Sequence, residues 1–122
     1  MKYCNDHVED IQIAYIGGGS RGWAWTFMTD LAQEPAICGT IRLYDIDREA
    51  ARANETIGNS LCHREDVPGK WHYCVKDTME EALTGADFVV ISILPGTFEE
   101  MEVDVHMPER LGIYQSVGDT AG

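Results

Sequence analysis

Residues 11–22 read Ile11-Gln12-Ile13-Ala14-Tyr15-Ile16-Gly17-Gly18-Gly19-Ser20-Arg21-Gly22. A short β-rich run stops at three glycines, and Gly17, Gly19 and Gly22 fit the spacing G-x-G-x-x-G. Alone the pattern is weak, so its surroundings decide its meaning. Residues 22–33 (GWAWTFMTDLAQ) carry apolar groups at Trp23, Phe27, Met28 and Leu31, a helical spacing, and Glu34-Pro35 ends that helix. Residues 40–45 (TIRLYD) form the next predicted strand and close on Asp45, which lies 23 residues beyond Gly22. Strand, glycine turn, helix, strand and terminal acid is the layout of a dinucleotide-binding βαβ unit.

Each part has a physical task. Gly17 permits the tight turn, Gly19 lets backbone approach a pyrophosphate, and Gly22 allows close packing of helix on sheet. Gly18 and Ser20 complete the loop, and the helix start supplies N–H donors with a partial positive charge. Asp45 can accept from the adenosine ribose hydroxyls, and its charge repels the extra phosphate of NADP, so NAD is the expected cofactor. Arg21 weakens that preference, because it sits within reach of a 2′-phosphate or the pyrophosphate. A bare glycine turn, or a loop for a flavin or S-adenosylmethionine, stays open on the spacing alone.

Outward from this unit, residues 47–63 read as a helix capped by Asp47, with Ala50, Ala53, Ile57 and Leu61 on one face. Val67-Pro68-Gly69 breaks the chain before a strand at 71–75 and a short helix at 78–84 opened by Thr78. Residues 87–94 (DFVVISIL) are nearly all apolar, as in a central parallel strand covered on both faces. A helix over 97–111, capped by Thr97 with Glu99 and Glu100 in its first turn, leads to a fifth strand at 113–117. The alternation predicts an α/β fold over residues 1–122: a doubly wound parallel sheet of about five strands, Rossmann-like, in three αβα layers.

The 122 residues suffice for one domain, and 44% hydrophobic with 25% charged residues is an ordinary globular balance. No apolar run approaches the roughly 20 residues that span a bilayer, and Met1 to His7 lacks the apolar core of a signal peptide. A cytoplasmic protein without membrane partners is expected. Nine Lys and Arg against 21 Asp and Glu give a net charge of −12, which argues against a nucleic-acid partner. The acidity does not argue against a nucleotide cofactor, since backbone N–H groups can carry the phosphate. Cys4, Cys38, Cys62 and Cys74 form no CxxC pair and read as unpaired thiols. Cys62 with His63, His72 with Cys74, and His106 alone supply too few ligands for a metal, so no metal site is expected. Asn54-Glu55-Thr56 matches the glycosylation triplet, which carries no meaning without a secretory signal.

The strand leading into Gly17-Gly18-Gly19-Ser20, the segment Tyr44 to Asp47 (YDID), the DFVVIS strand and the closing GIYQSVGDTAG together resemble the N-terminal part of glycoside hydrolase family 4. That family is similar in fold to lactate and malate dehydrogenases. The resemblance runs from about Ile11 to Gly122. It implies a glycosidase outside the paired-carboxylate scheme, in which NAD oxidises the sugar C3 hydroxyl and acidifies the C2 proton. A base then removes that proton, the leaving group is eliminated from C1, water adds, and the hydride returns. A divalent metal, manganese, polarises the C2 and C3 oxygens in the full-length enzyme.

By this resemblance Gly17, Gly19, Ser20 and Arg21 form the phosphate loop and Asp45 the ribose acid. Ser92 to Pro95, Leu94 included, form a wall beside adenine and the nicotinamide ribose. Asp104, in Asp104-x-x-x-Pro108-x-x-x-Gly112, matches a helix approaching the sugar, a substrate-binding role. Members acting on 6-phosphosugars place an arginine shortly after the fourth strand. Here no Lys or Arg occurs between Asp87 and Glu109, which with the GIYQSVGDT ending is similar to the branch acting on α-galacturonides. An α-glucosidase-like substrate is the neighbouring choice. Family members are several times longer, with metal ligands and base beyond this stretch, so the chain is expected to be a fragment, inactive alone, that self-associates through the face meeting the rest, around residues 113–117. A stand-alone NAD-binding module and a piece of a lactate- or malate-type dehydrogenase are the competing readings.

Overall fold

The computed structural model describes residues 1–117; residues 118–122 of the closing GIYQSVGDTAG lie outside the described residues. Along the chain run β1 (Lys2–Tyr3), β2 (Val8–Ile16), α1 (Trp23–Gln33), β3 (Ile37–Tyr44), α2 (Arg48–Cys62), β4 (Trp71–Val75), α3 (Met79–Leu83), β5 (Phe88–Ile91) and α4 (Phe98–His106). A 3-10 helix, Met107–Leu111, follows α4. The five strands form one sheet in which β2 pairs parallel with β3 and with β5, and β3 pairs parallel with β4. β1 adds the only antiparallel pairing among the described residues, Lys2 opposite Glu9 and Tyr3 opposite Val8.

Strand alternation sorts the core. Ile11, Ile13 and Tyr15 of β2, Ile41 and Leu43 of β3, and Trp71 and Tyr73 of β4 pack against Ala24, Met28 and Leu31 of α1 and Cys62 of α2. On the opposite face Ala14 and Ile16 meet Ala82 of α3. Helices therefore lie on both faces of the sheet, the three-layer arrangement expected.

Three expectations change. The fifth strand is β1, not residues 113–117, which form no strand among the described residues. Gly112, at φ +75°, ends the 3-10 helix, and Gln115 Nε2 donates to the Asp104 carbonyl at 2.9 Å, which ties the segment to α4 instead of the sheet. β5 is also shorter than 87–94 and is not covered on both faces: Phe88 is 53% and Ile91 68% exposed. An apolar strand reads as central wherever it lies, and here its outer edge has no neighbour among the described residues. In α2 the buried face is Ala51, Asn54, Gly58 and Cys62, while Ala53 and Ile57 face solvent. The side with Gly58 turns inward because α2 lies close on β4, where a Cβ at Gly58 would come 2.6 Å from the Tyr73 ring.

Asp47 and Thr78 cap α2 and α3 by accepting from Ala50 N and Glu81 N. Thr97 and Glu100 form a reciprocal capping box on α4. All four cysteines are free, as expected.

Gly58→Ala inverts the usual rule that alanine in a helix interior stabilises by about 1 kcal/mol over glycine. Tyr73 is fully buried and cannot yield, so the variant is expected to lose about 1–3 kcal/mol in urea denaturation. A gain in stability would show that α2 does not lie this close to β4.

Candidate functional site

β2 ends at Ile16, between the carboxyl ends of β3 and β5, and the glycine loop turns there. Gly17 and Gly18 both donate their N–H to the Tyr44 carbonyl at 2.9 Å, and Ser20 N–H donates to the Gly17 carbonyl at 3.0 Å. Gly17 takes φ +92°, and a Cβ there would meet the Ser92 carbonyl oxygen at 1.9 Å. The tight turn assigned to Gly17 is thus present, with a second reason for glycine in the return strand's close approach. A Cβ at Gly18 would press on Leu43, and one at Gly19 would lie 2.9 Å from Asp45 Oδ2. Gly22 differs: nothing lies within 4 Å of its would-be Cβ, so the close-packing role assigned to it is not realised.

Asp45 is half-buried at the end of β3. Its Oδ2 accepts from Gly19 N–H and its Oδ1 from Asp47 N–H, both at 2.8 Å. A carboxylate oxygen can accept more than one bond, so both remain able to take a hydroxyl. The amides of Gly17 to Ser20 are all engaged within the protein, which leaves the helix start to meet an anion. α1 begins at Trp23 with no side-chain cap and no acidic residue in its first turn, unlike α2, α3 and α4. Uncapped N–H groups with a dipole's positive end favour a phosphate.

Two open hollows flank the loop. One, about 570 Å³, is lined by Gly17, Gly19, Ser20, Arg21, Asp45 and Pro95, among others. The other, about 730 Å³, is lined by Tyr15, Trp23, Phe27 and Val90 with Ser20 and the Ser92–Leu94 segment. They meet at Ser20, Ser92, Ile93 and Leu94, so the chain leaving β5 walls both. Gly17, Gly19, Ser20, Arg21, Asp45, Ser92, Leu94 and Pro95 all line the smaller hollow, with Gly18 behind them against Leu43. Asp104, in the last turn of α4, lines neither hollow.

Sequence reasoning missed three contributors. Ile46, 94% exposed beside Asp45, and Met79 add apolar side chains to the lining of the smaller hollow. Asn54, 2% exposed, reaches from α2 under the loop and bonds the Gly18 and Ser20 carbonyls. The signal available for Asn54 was a polar residue at a helical position that the apolar count had assigned to the surface.

For a metal, one group of three candidate ligands exists among the described residues: Cys4, His7 and Glu9, with ligand atoms within 4.8 Å of one another. Both His7 ring nitrogens already face carboxylates, Asp6 at 2.8 Å and Glu9 at 2.9 Å, and these hydrogen bonds raise its pKa. They favour imidazolium, which is no ligand. The group also sits at the amino end of β2, a strand's length from the hollows. No ligand set for manganese adjoins them among the described residues, and the pairs Cys62–His63 and His72–Cys74 are in no such group.

A parallel sheet with helices on both faces and a glycine loop at the carboxyl end of its central strand defines a Rossmann-type α/β unit. The chain belongs to the family 4 glycosyl hydrolases: that family's model matches residues 12–122. An alpha-galacturonidase of Lachnoclostridium phytofermentans is 75% identical over the whole chain, which covers 26% of that relative. A glucosidase crystal structure from Bacillus subtilis superposes with TM-score 0.74 at 56% identity, over 93% of this chain and 25% of that one. The 6-phospho-beta glucosidase of Thermotoga maritima, solved with NAD and glucose-6-phosphate, gives TM-score 0.62 at 26% identity, over 87% of this chain and 26% of that one. The chain thus spans about a quarter of the length of the relatives it matches. Family membership sets aside the lactate- or malate-type dehydrogenase reading.

Gly17→Ala and Gly22→Ala separate the two ends of the loop. The first is expected to cost about 3 kcal/mol or more, from positive φ and collision with the Ser92 carbonyl. The second, in open space at φ −80°, is expected to stay within about 1 kcal/mol of the parent. Urea denaturation of both variants reads the difference, and equal losses would contradict this geometry.

Proposed function

We propose that the chain is the dinucleotide-binding part of a family 4 glycosidase acting on an α-galacturonide, and that it holds NAD as a redox cofactor regenerated in each turnover. The observation that carries the NAD reading is Asp45, fixed by two backbone N–H groups at the rim of the smaller hollow, across the loop from the uncapped start of α1. Gly17, Gly18, Gly19 and Gly22 leave the backbone bare, and Ser20 and Arg21 flank the pyrophosphate path. Asp45 takes the adenosine ribose hydroxyls and disfavours a 2′-phosphate, while Ser92, Leu94 and Pro95 wall the ribose and adenine. When bound, NAD supplies a hydride acceptor for the sugar's C3 position. The chain's own part is to fix that acceptor's orientation and to exclude water along the apolar wall of the larger hollow.

The galacturonide reading is supported by the alpha-galacturonidase relative and by the absence of any Lys or Arg between Asp87 and Glu109, where a sugar phosphate would need a cation. Asp104 is the proposed substrate-facing residue on α4. No manganese step is derived from these residues, since no ligand set for the ion adjoins the hollows among those described. The protein is expected to work in the cytoplasm; no helix among the described residues is long and apolar enough to cross a membrane.

Titrating NAD against tryptophan fluorescence tests the cofactor, because Trp23 lines the larger hollow. Saturable binding of NAD in preference to NADP is expected. Asp45→Ala should weaken NAD by about tenfold to a hundredfold, the range for a charge-assisted hydrogen bond worth about 1.5–3 kcal/mol. Equal binding of NAD and NADP by the parent would refute the ribose role of Asp45. The 122 residues alone, supplied with NAD, manganese and an α-galacturonide, are expected to release no galacturonate, and turnover would refute the division of labour proposed.

The outer edge of β5, with Phe88, Val89 and Ile91 exposed beside it, supports a further part of this reading: a second copy of the chain docks there. Light scattering is expected to show a mass that rises with concentration, and a constant monomer mass would exclude self-association.

A further inference from the structure

Asn54 reaches the inner side of the glycine loop from α2 with both ends of its amide engaged. Its Nδ2 donates to the Gly18 carbonyl at 2.7 Å and to the Ser20 carbonyl at 2.9 Å. Its Oδ1 accepts from the Trp25 indole Nε1–H at 2.8 Å. Two carbonyl acceptors on one side and an N–H donor on the other fix the amide's orientation, since the flipped form would set oxygen against two carbonyls. The residue is 2% exposed, so water does not compete for these bonds.

The consequence for the loop follows from peptide planarity. Across a trans peptide the carbonyl and the next N–H point opposite ways, and no cis peptide occurs among the described residues. With the Gly18 carbonyl turned to Asn54, the Gly19 N–H faces away, where Asp45 accepts it. With the Ser20 carbonyl turned to Asn54, the Arg21 N–H faces the open side of the loop. Carbonyl oxygens aimed at a pyrophosphate would repel it, and amide hydrogens attract it.

We propose that Asn54 is a positioning residue for the dinucleotide: it holds the negative ends of two loop peptides away from the pyrophosphate path, which leaves the Gly19 N–H to Asp45 and turns the Arg21 N–H outward, with Trp25 locking its amide. This rests on the NAD reading above. It adds a determinant of affinity on α2 that touches no part of the ligand.

A control lies on the same helix. Asn59 makes two equivalent side-chain bonds, donating to the Tyr73 carbonyl at 2.8 Å and accepting from Tyr73 N–H at 2.9 Å, with no contact to the loop. N54D keeps the size and the Trp25 acceptor but sets a carboxylate against two carbonyls. Isothermal titration with NAD is expected to show Kd raised at least tenfold for N54D and unchanged within twofold for N59A, whatever each does to Tm. W25F, at a half-exposed position, removes only the lock and is expected to raise Kd about threefold; it decides the matter if N54D does not fold. In the parent's amide NMR spectrum, NAD should shift the Arg21 N–H more than the Gly17 and Gly18 N–H, which are donated inward. If the parent binds NAD while N54D, or W25F in its place, matches N59A, the positioning role is overturned and the cofactor reading stands. If the parent itself shows no saturable NAD binding, both fall.

Discussion

Parallel pairing of β2 on both of its edges is the constraint on which the site depends. β3 runs along one side and β5 along the other, so the crossovers leading to them depart in opposite directions. Between their carboxyl ends a crevice must open, because no connection covers it. The chain turns in that crevice, and its neighbours grip the turn: the Tyr44 carbonyl receives two loop amides, and Ser92 N–H donates to the Ile16 carbonyl at 2.8 Å. Each wall of the site is thus the continuation of a strand already held in register.

The electrostatics run against the chain's overall charge. A net charge of −12 should repel a pyrophosphate, and among the described residues Arg21 is the one cation lining either hollow. Attraction has to come from oriented peptide groups, whose fields act at short range where the distant carboxylates are screened. The helices divide accordingly. α2, α3 and α4 have side chains on their first amides, whereas α1 leaves its own open at the crevice.

The fold was legible because its signals are local. The run to Ile16, the glycines and the apolar spacing after Gly22 each report on neighbours in sequence, and Asp47, Thr78 and Thr97 announce their helices one residue ahead. The loop and Asp45 were legible for the same reason. What failed depends on contacts distant in sequence. The apolar content of 87–94 says that a strand wants cover, not that cover is present. The face of α2 was misplaced because apolar counting favours the side with Ile57, while the close approach to Tyr73 of β4 demands the side with Gly58. Asn54 was lost with that rotation, since a polar residue is placed outside until a buried partner for it is known. The bulge between Val8 and Ile11, with Asp10 at φ 55°, hid the start of β2 by breaking its alternation.

The inward bonding of the loop has a thermodynamic consequence. Fixing a backbone residue costs about 1–2 kcal/mol in conformational entropy, and a mobile loop would lose that freedom on meeting its ligand. Here Gly17 to Ser20 donate their amides within the protein before any ligand arrives, so the loss belongs to folding and not to association. The order of that loop is borrowed from α2 and β3, neither of which belongs to it. Loosening of α2 would free the Gly18 and Ser20 carbonyls while β3 still holds the Gly17, Gly18 and Gly19 amides, so the loop has two separate supports that can fail one at a time.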